Sequence, residues 1–175
     1  MFNHIQPLFH KILIFLIIII ISCLNAASPD PVFSENGMVV SLNKHASQAG
    51  IDILKKDGNA IDAAVAVGFT LAVTRPENGN IGGGGFVIGA TSDGKIFTQD
   101  HREKAPYLSK KDMFLDENNT VIPKMSIQSR ASSGVPGTVH GLLSIWTDHG
   151  SGNIRLHQLL SSAIRLAEKG FSLSH

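Results

Sequence analysis

The chain holds one cysteine in 175 residues, Cys23. A single thiol cannot form an internal disulfide, even in an oxidising compartment, and it cannot build a thiolate metal centre. An excess of either charge is also missing: fifteen lysines and arginines face fourteen aspartates and glutamates. A nearly neutral chain without a basic cluster offers no reason to propose nucleic acid or anionic lipid as a partner. Long apolar runs are absent. The longest, Ile12 to Ile21, is about half of the roughly 20 residues that a helix needs to cross a bilayer, so no stable membrane span is expected. Neither internal repeats nor low-complexity tracts follow it.

Several catalytic signatures are missing as well. No Gly-x-Ser-x-Gly elbow marks a serine nucleophile. Histidines 45, 101, 140, 149 and 157 are scattered without an i, i+4 pair flanking a glutamate, so no metal site is expected. The four glycines Gly82 to Gly85 are followed by Phe86-Val87-Ile88. A nucleotide loop requires Lys-Ser or Lys-Thr there, and both nucleotide motifs run strand, loop, helix, whereas here a helical pattern precedes and a strand pattern follows. No cofactor is expected.

What is present begins with a leader. Lys11, the apolar run and then Ser22-Cys23-Leu24-Asn25-Ala26-Ala27 have the layout of a secretory signal peptide over 1–26. Export to a bacterial periplasm or to the medium is the expected localisation. Ile20-Ile21-Ser22-Cys23 also fits a lipoprotein cleavage site, so acylation at Cys23 and membrane tethering form the alternative. Residues 27–36 read as a linker and 37–175 as the body of the protein.

Within that body, Met38 to Leu42 suggests a strand and Ala46 to Leu54 a helix ending near Gly58. Asn59 caps a second helix, Ala60 to about Val73, that has no polar face and therefore asks for cover on every side. Phe86 to Ala90 and Lys95 to Gln99 read as a hairpin around Asp93-Gly94, which returns Arg102 to the glycine tract. Asp116 to Thr120 is a turn; its Asn118-Asn119-Thr120 matches a glycosylation acceptor, though a solvated turn is the preferred meaning. Two further helices follow, Thr138 to Trp146 and a run from Leu156 to Ala167 with an apolar stripe.

Arg102 is the sharpest chemical candidate, because a guanidinium grips a carboxylate with two parallel donors and stays charged. Spacing alone favours a plainer role, a surface pair with Glu103 or Asp100.

Four segments then carry a resemblance. Asp57-Gly58-Asn59-Ala60-Ile61-Asp62-Ala63-Ala64-Val65-Ala66, Asn80 to Phe86, Arg102-Glu103-Lys104-Ala105-Pro106 and Ser133-Gly134-Val135-Pro136-Gly137-Thr138 stand in the order found in γ-glutamyltransferases, also called γ-glutamyl transpeptidases or glutathione hydrolases. From Gly37 to His175 the chain resembles the amino-terminal part of that family's large subunit. The resemblance implies an α/β fold, the αββα sandwich of amino-terminal nucleophile hydrolases, here incomplete. It implies a proenzyme that cleaves itself into two subunits, and a threonine at the start of the small subunit that attacks the γ-glutamyl amide of glutathione. The threonine's own α-amino group, with a pKa of about 8, serves as base. Water or an acceptor amino acid then takes the acyl group.

The resemblance reverses the order of readings for Arg102 and gives it the substrate α-carboxylate, with Glu103 in a supporting role. His101 stands where relatives often carry another residue. The nucleophilic threonine is not among these 175 residues, and Thr120 and Thr138 are not substitutes, so the chain alone is expected to be inactive and to fold poorly. Its partners would be γ-glutamyl compounds and the small subunit. Two other readings stay open: a non-catalytic exported module that binds an amino acid or a partner, and a tethered lipoprotein.

Overall fold

The computed structural model describes residues 10–18, 30–78 and 80–173. They fall into two units, one within Met1–Asn36 and one within Gly37–His175. In the first, residues 10–18 are helical (α1) and 30–36 have no regular structure. Among the described residues no helix is long and apolar enough to cross a membrane. Cys23, Ala26 and Ala27, the positions expected for acylation or cleavage, lie outside the described residues.

The second unit opens with a departure from expectation. Met38 to Leu42 is not a strand, because among the described residues no backbone completes a ladder with it, and Val40 stays 83% exposed. Helix α2, Lys44–Leu54, follows. Asn43 caps it in the extended conformation, its Oδ1 accepting the His45 N–H at 2.8 Å. At the other end Asp57, not Gly58, adopts the left-handed conformation, with φ 63°. Gly58 is needed for a different reason: its N–H donates to the Ile53 carbonyl at 3.1 Å, and an added Cβ would lie 2.6 Å from Ile53 Cγ2.

Helix α3, Ala60–Thr74, starts in a full capping box between Asn59 and Asp62. Its cover is one-sided. Ile61, Ala63, Val65, Ala66, Thr70 and Thr74 are buried, while Ala64 is exposed and Leu71 and Val73 are only half-buried. Thr70 and Thr74 tolerate burial because each hydroxyl donates to the carbonyl four residues earlier, Ala66 at 2.7 Å and Thr70 at 3.0 Å. Small residues let the neighbours close in: a Cβ at Gly50 would lie 2.8 Å from Val39 and Val67, and one at Gly68 would lie 2.9 Å from Leu142.

The hairpin pairs β1, Phe86–Ala90, with β2, Ile96–Asp100, in antiparallel register from Phe86 opposite Asp100 to Ala90 opposite Ile96. Strand β2 begins one residue later than expected because Lys95 belongs to the turn, its carbonyl accepting the Thr91 N–H at 2.9 Å. Gly94 supplies the positive φ, 82°. Val87 and Phe97 point to the core, whereas Phe86, Ile88 and Ile96 point outward. Asp116 closes the expected turn through the N–H groups of Asn118 and Thr120, with Asn119 left-handed. A single turn of helix, α4 (Met125–Gln128), and a short 3-10 turn precede the last two helices.

Helices α5, Thr138–His149, and α6, Leu156–Lys169, complete the core against α3. Ile145 and Leu159 are fully buried, each contributing about 2 kcal/mol by removal from water. The stripe of α6 is narrower than its pattern implied. Leu159, Ala163 and Leu166 are buried, but Ile164 and Ala167 face outward. The observed architecture is mixed α/β: helices around one two-stranded sheet among the described residues.

Candidate active site

The glycine tract lies directly beneath the end of β2. Gly85 and His101 exchange backbone hydrogen bonds, at 3.0 and 3.4 Å, which extends the hairpin by one pair beyond the strands. A Cβ at Gly84 would sit 2.5 Å from the His101 carbonyl oxygen and 2.7 Å from the Glu103 nitrogen, so only glycine permits that crossing. The Gly83 carbonyl in turn accepts the N–H groups of Gly137 and Thr138, at 2.8 and 3.0 Å, satisfying two of the donors left open at the start of α5. Lys104 and Val135 pair in both directions next to this joint. Three of the sequence segments singled out above thus meet at one place.

Arg102 leaves this joint toward solvent. Its N–H donates to Asp100 Oδ1 at 2.9 Å, and its Nε donates to Glu103 Oε2 at 3.1 Å. The guanidinium carbon stands 5.7 Å from the centre of the Phe86 ring. Its two terminal nitrogens make no hydrogen bond among the described residues, and the side chain is 60% exposed. The surface pair with Glu103 and an open donor fork therefore coexist. The carboxyl of Glu103 is held below the usual carboxylate range, first by its own main-chain N–H, then by the Arg102 guanidinium, with a smaller contribution from the Gly84 N–H. An open cavity of about 410 Å³ adjoins Glu103 and runs past Pro106, Met113 and Phe114.

The remaining histidines stay apart. His149 stacks on Phe97 with ring centres 3.8 Å apart, and His45 meets Phe171 edge-on. Among the described residues no three His, Cys, Asp or Glu side chains gather as a metal site.

Two features escaped the sequence reading. Asp62 is fully buried, and its Oδ2 accepts the N–H groups of Asn59 and Ser151, at 2.9 and 3.1 Å. The Asn59 side chain also donates to the His149 carbonyl at 2.8 Å, so the capping box ties α3 to the end of α5. The second is the pair Gly137 and Gly141, whose spacing of four stacks the cap residue of α5 over its first turn. That spacing was the available signal, and what it accommodates is His101.

The sequence profile described as gamma-glutamyltranspeptidase matches residues 46–175. A glutathione hydrolase proenzyme of Pseudomonas sp. (strain A14) is 48% identical over 149 residues, which are 85% of this chain and 26% of that protein. The crystal structure of Helicobacter pylori gamma-glutamyltranspeptidase superposes with a TM-score of 0.77 at 43% identity, covering 83% of this chain and 41% of that one. The Pseudomonas nitroreducens gamma-glutamyltranspeptidase complexed with L-DON gives 0.75 at 43% identity, covering 81% and 42%. The fold class is that of the amino-terminal nucleophile hydrolases, mixed α/β. The chain belongs to the gamma-glutamyltranspeptidase family. It spans about a quarter of the length of the curated relatives it matches.

Proposed function

We propose that this chain provides the carboxylate-gripping side of a γ-glutamyl pocket in a glutathione hydrolase or γ-glutamyltransferase. The observation that carries the reading is Arg102: among the described residues only its Nε is hydrogen-bonded, and the terminal nitrogens of an exposed guanidinium remain open. A planar α-carboxylate fits that fork with two parallel hydrogen bonds. Glu103 supports it by fixing the Nε edge, and its ionised carboxylate offers an acceptor toward an ammonium group.

In the proposed reaction a threonine hydroxyl of the small subunit adds to the γ-glutamyl carbonyl of glutathione, with its own α-amino group taking the proton. The carbon–nitrogen bond then breaks, the proton goes to the departing amine, and an ester to the threonine remains. Water or the amine of an acceptor amino acid releases the glutamyl group. No residue of this chain is assigned to those covalent steps. Support for the proenzyme form comes from the names of the relatives.

The test is binding of glutathione to the 175-residue chain and to its Arg102→Lys variant. Lysine keeps the charge and loses the fork, so affinity is expected to fall about tenfold or more. Equal affinity for the two would remove Arg102 from the pocket.

Export belongs to the same proposal: residues 1–26 act as a signal peptide, 27–36 link, and 37–175 form the body. Amino-terminal sequencing of the product outside the cytoplasm is expected to start near Ala27. A product beginning at an acylated Cys23 would replace this with the lipoprotein reading.

A further inference from the structure

We infer that His101 is a positioning residue for Arg102: its imidazole, seated in a slot between Gly85 and Gly141, fixes the backbone from which the guanidinium projects. The inference rests on the reading of Arg102 given above. The slot is built from both sides. A Cβ at Gly85 would lie 3.2 Å from His101 Nε2, and one at Gly141 would collide with the ring itself, 2.6 Å from Cδ2. The His101 carbonyl is equally confined. A Cβ at Gly84 would stand 2.5 Å from its oxygen, and one at Gly137 would stand 2.8 Å from its carbon.

Helix α5 is held in place to form this slot. Gln99 Nε2 donates to the Gly141 carbonyl at 2.9 Å, two residues before His101 on the same strand face. Gly137 and Thr138 are fastened to Gly83 on the other side. His101 therefore has contacts on three sides, whereas Arg102, one residue later, has an exposed side chain that hydrogen-bonds, among the described residues, to Glu103 alone and lies over the Phe86 ring. The backbone from which the guanidinium leaves is thus fixed at His101, and Glu103 then holds the Nε edge. The Nδ1 of His101 is buried without a hydrogen-bond partner. Among the described residues neither ring nitrogen makes a hydrogen bond, so the ring is retained by shape, and a phenyl ring should replace it.

The experiment titrates glutathione into the nitrogen-15-labelled 175-residue chain and its variants, following the Arg102 Nε–H and main-chain signals. The wild type and His101→Phe are expected to bind within about twofold of each other. His101→Ala is expected to bind about tenfold more weakly, as small misplacements of a ligand-binding group do, while the amides of α3 and α6 keep their positions. Should His101→Ala unfold the core, Gly141→Ala decides, since its methyl displaces the ring from the opposite side. That variant is expected to weaken binding similarly. Wild-type affinity in His101→Ala or in Gly141→Ala would overturn the inference, as would a tenfold loss in His101→Phe. Arg102→Lys separates the two claims. If it binds like the wild type, the carboxylate reading falls; if it weakens and His101→Ala does not, only the positioning role falls.

Discussion

Arg102 is anchored at one nitrogen and open at two, and Glu103 makes the anchor. Their coupling is visible in the glutamate, whose carboxyl is held low by its own main-chain N–H and by the guanidinium. The midpoint of Glu103, read from its side-chain carbonyl carbon against pH, is expected below the ordinary glutamate value and to rise in Arg102→Ala. Because the folded midpoint is the lower one, the pair's contribution is present above the ordinary carboxylate range. It is lost as pH falls through the depressed midpoint. An unchanged midpoint in Arg102→Ala would mean that the main-chain N–H groups alone hold the carboxyl low. The pairing of Arg102 with Glu103 was legible in the sequence because the two charges are neighbours in the chain. The slot for His101 was not, since it joins residues forty positions apart and depends on atoms that the glycines lack.

At the scale of elements, local rules worked where both partners lie within a few residues. Asn59 announced the start of α3, and Asp93-Gly94 announced the hairpin, because a cap and a tight turn are closed by their own neighbours. Met38 to Leu42 failed as a strand because β structure needs a distant partner that composition cannot reveal. The stripe of α6 was overdrawn for a related reason: an apolar Ile164 records a possible contact, not the presence of a helix to meet it. The Asn59 cap also does more than its local role, through its bond to the His149 carbonyl. Asn59→Ala would open two helix-start donors and that long-range bond together. It is expected to destabilise the chain by about 2 kcal/mol, the upper end for a cap, measured as a lower urea midpoint at unchanged slope. A loss of only a few tenths would show that water replaces all three contacts.

On the scale of the whole molecule, the second unit has a core and one uncovered sheet face. Helices α3, α5 and α6 bury Ile145, Leu159 and Val65 around a common centre, and the inner side of the hairpin joins them through Val87 and Phe97. The outer side carries Phe86, Ile88 and Ile96 into solvent, on two strands whose outer edges have no ladder partner among the described residues. Such a surface pairs readily with other chains, which is how an otherwise folded domain aggregates. Ile88 lies at the middle of β1, opposite Thr98 and 78% exposed. Ile88→Lys therefore removes apolar surface from solvent contact without emptying the core. It is expected to raise the soluble yield of the 175-residue chain severalfold and to move its thermal midpoint little, because exposed substitutions usually change stability by less than about 0.5 kcal/mol. A fall of many degrees in the midpoint would instead show that this face is already covered in the isolated chain, and that the apolar row is part of its interior.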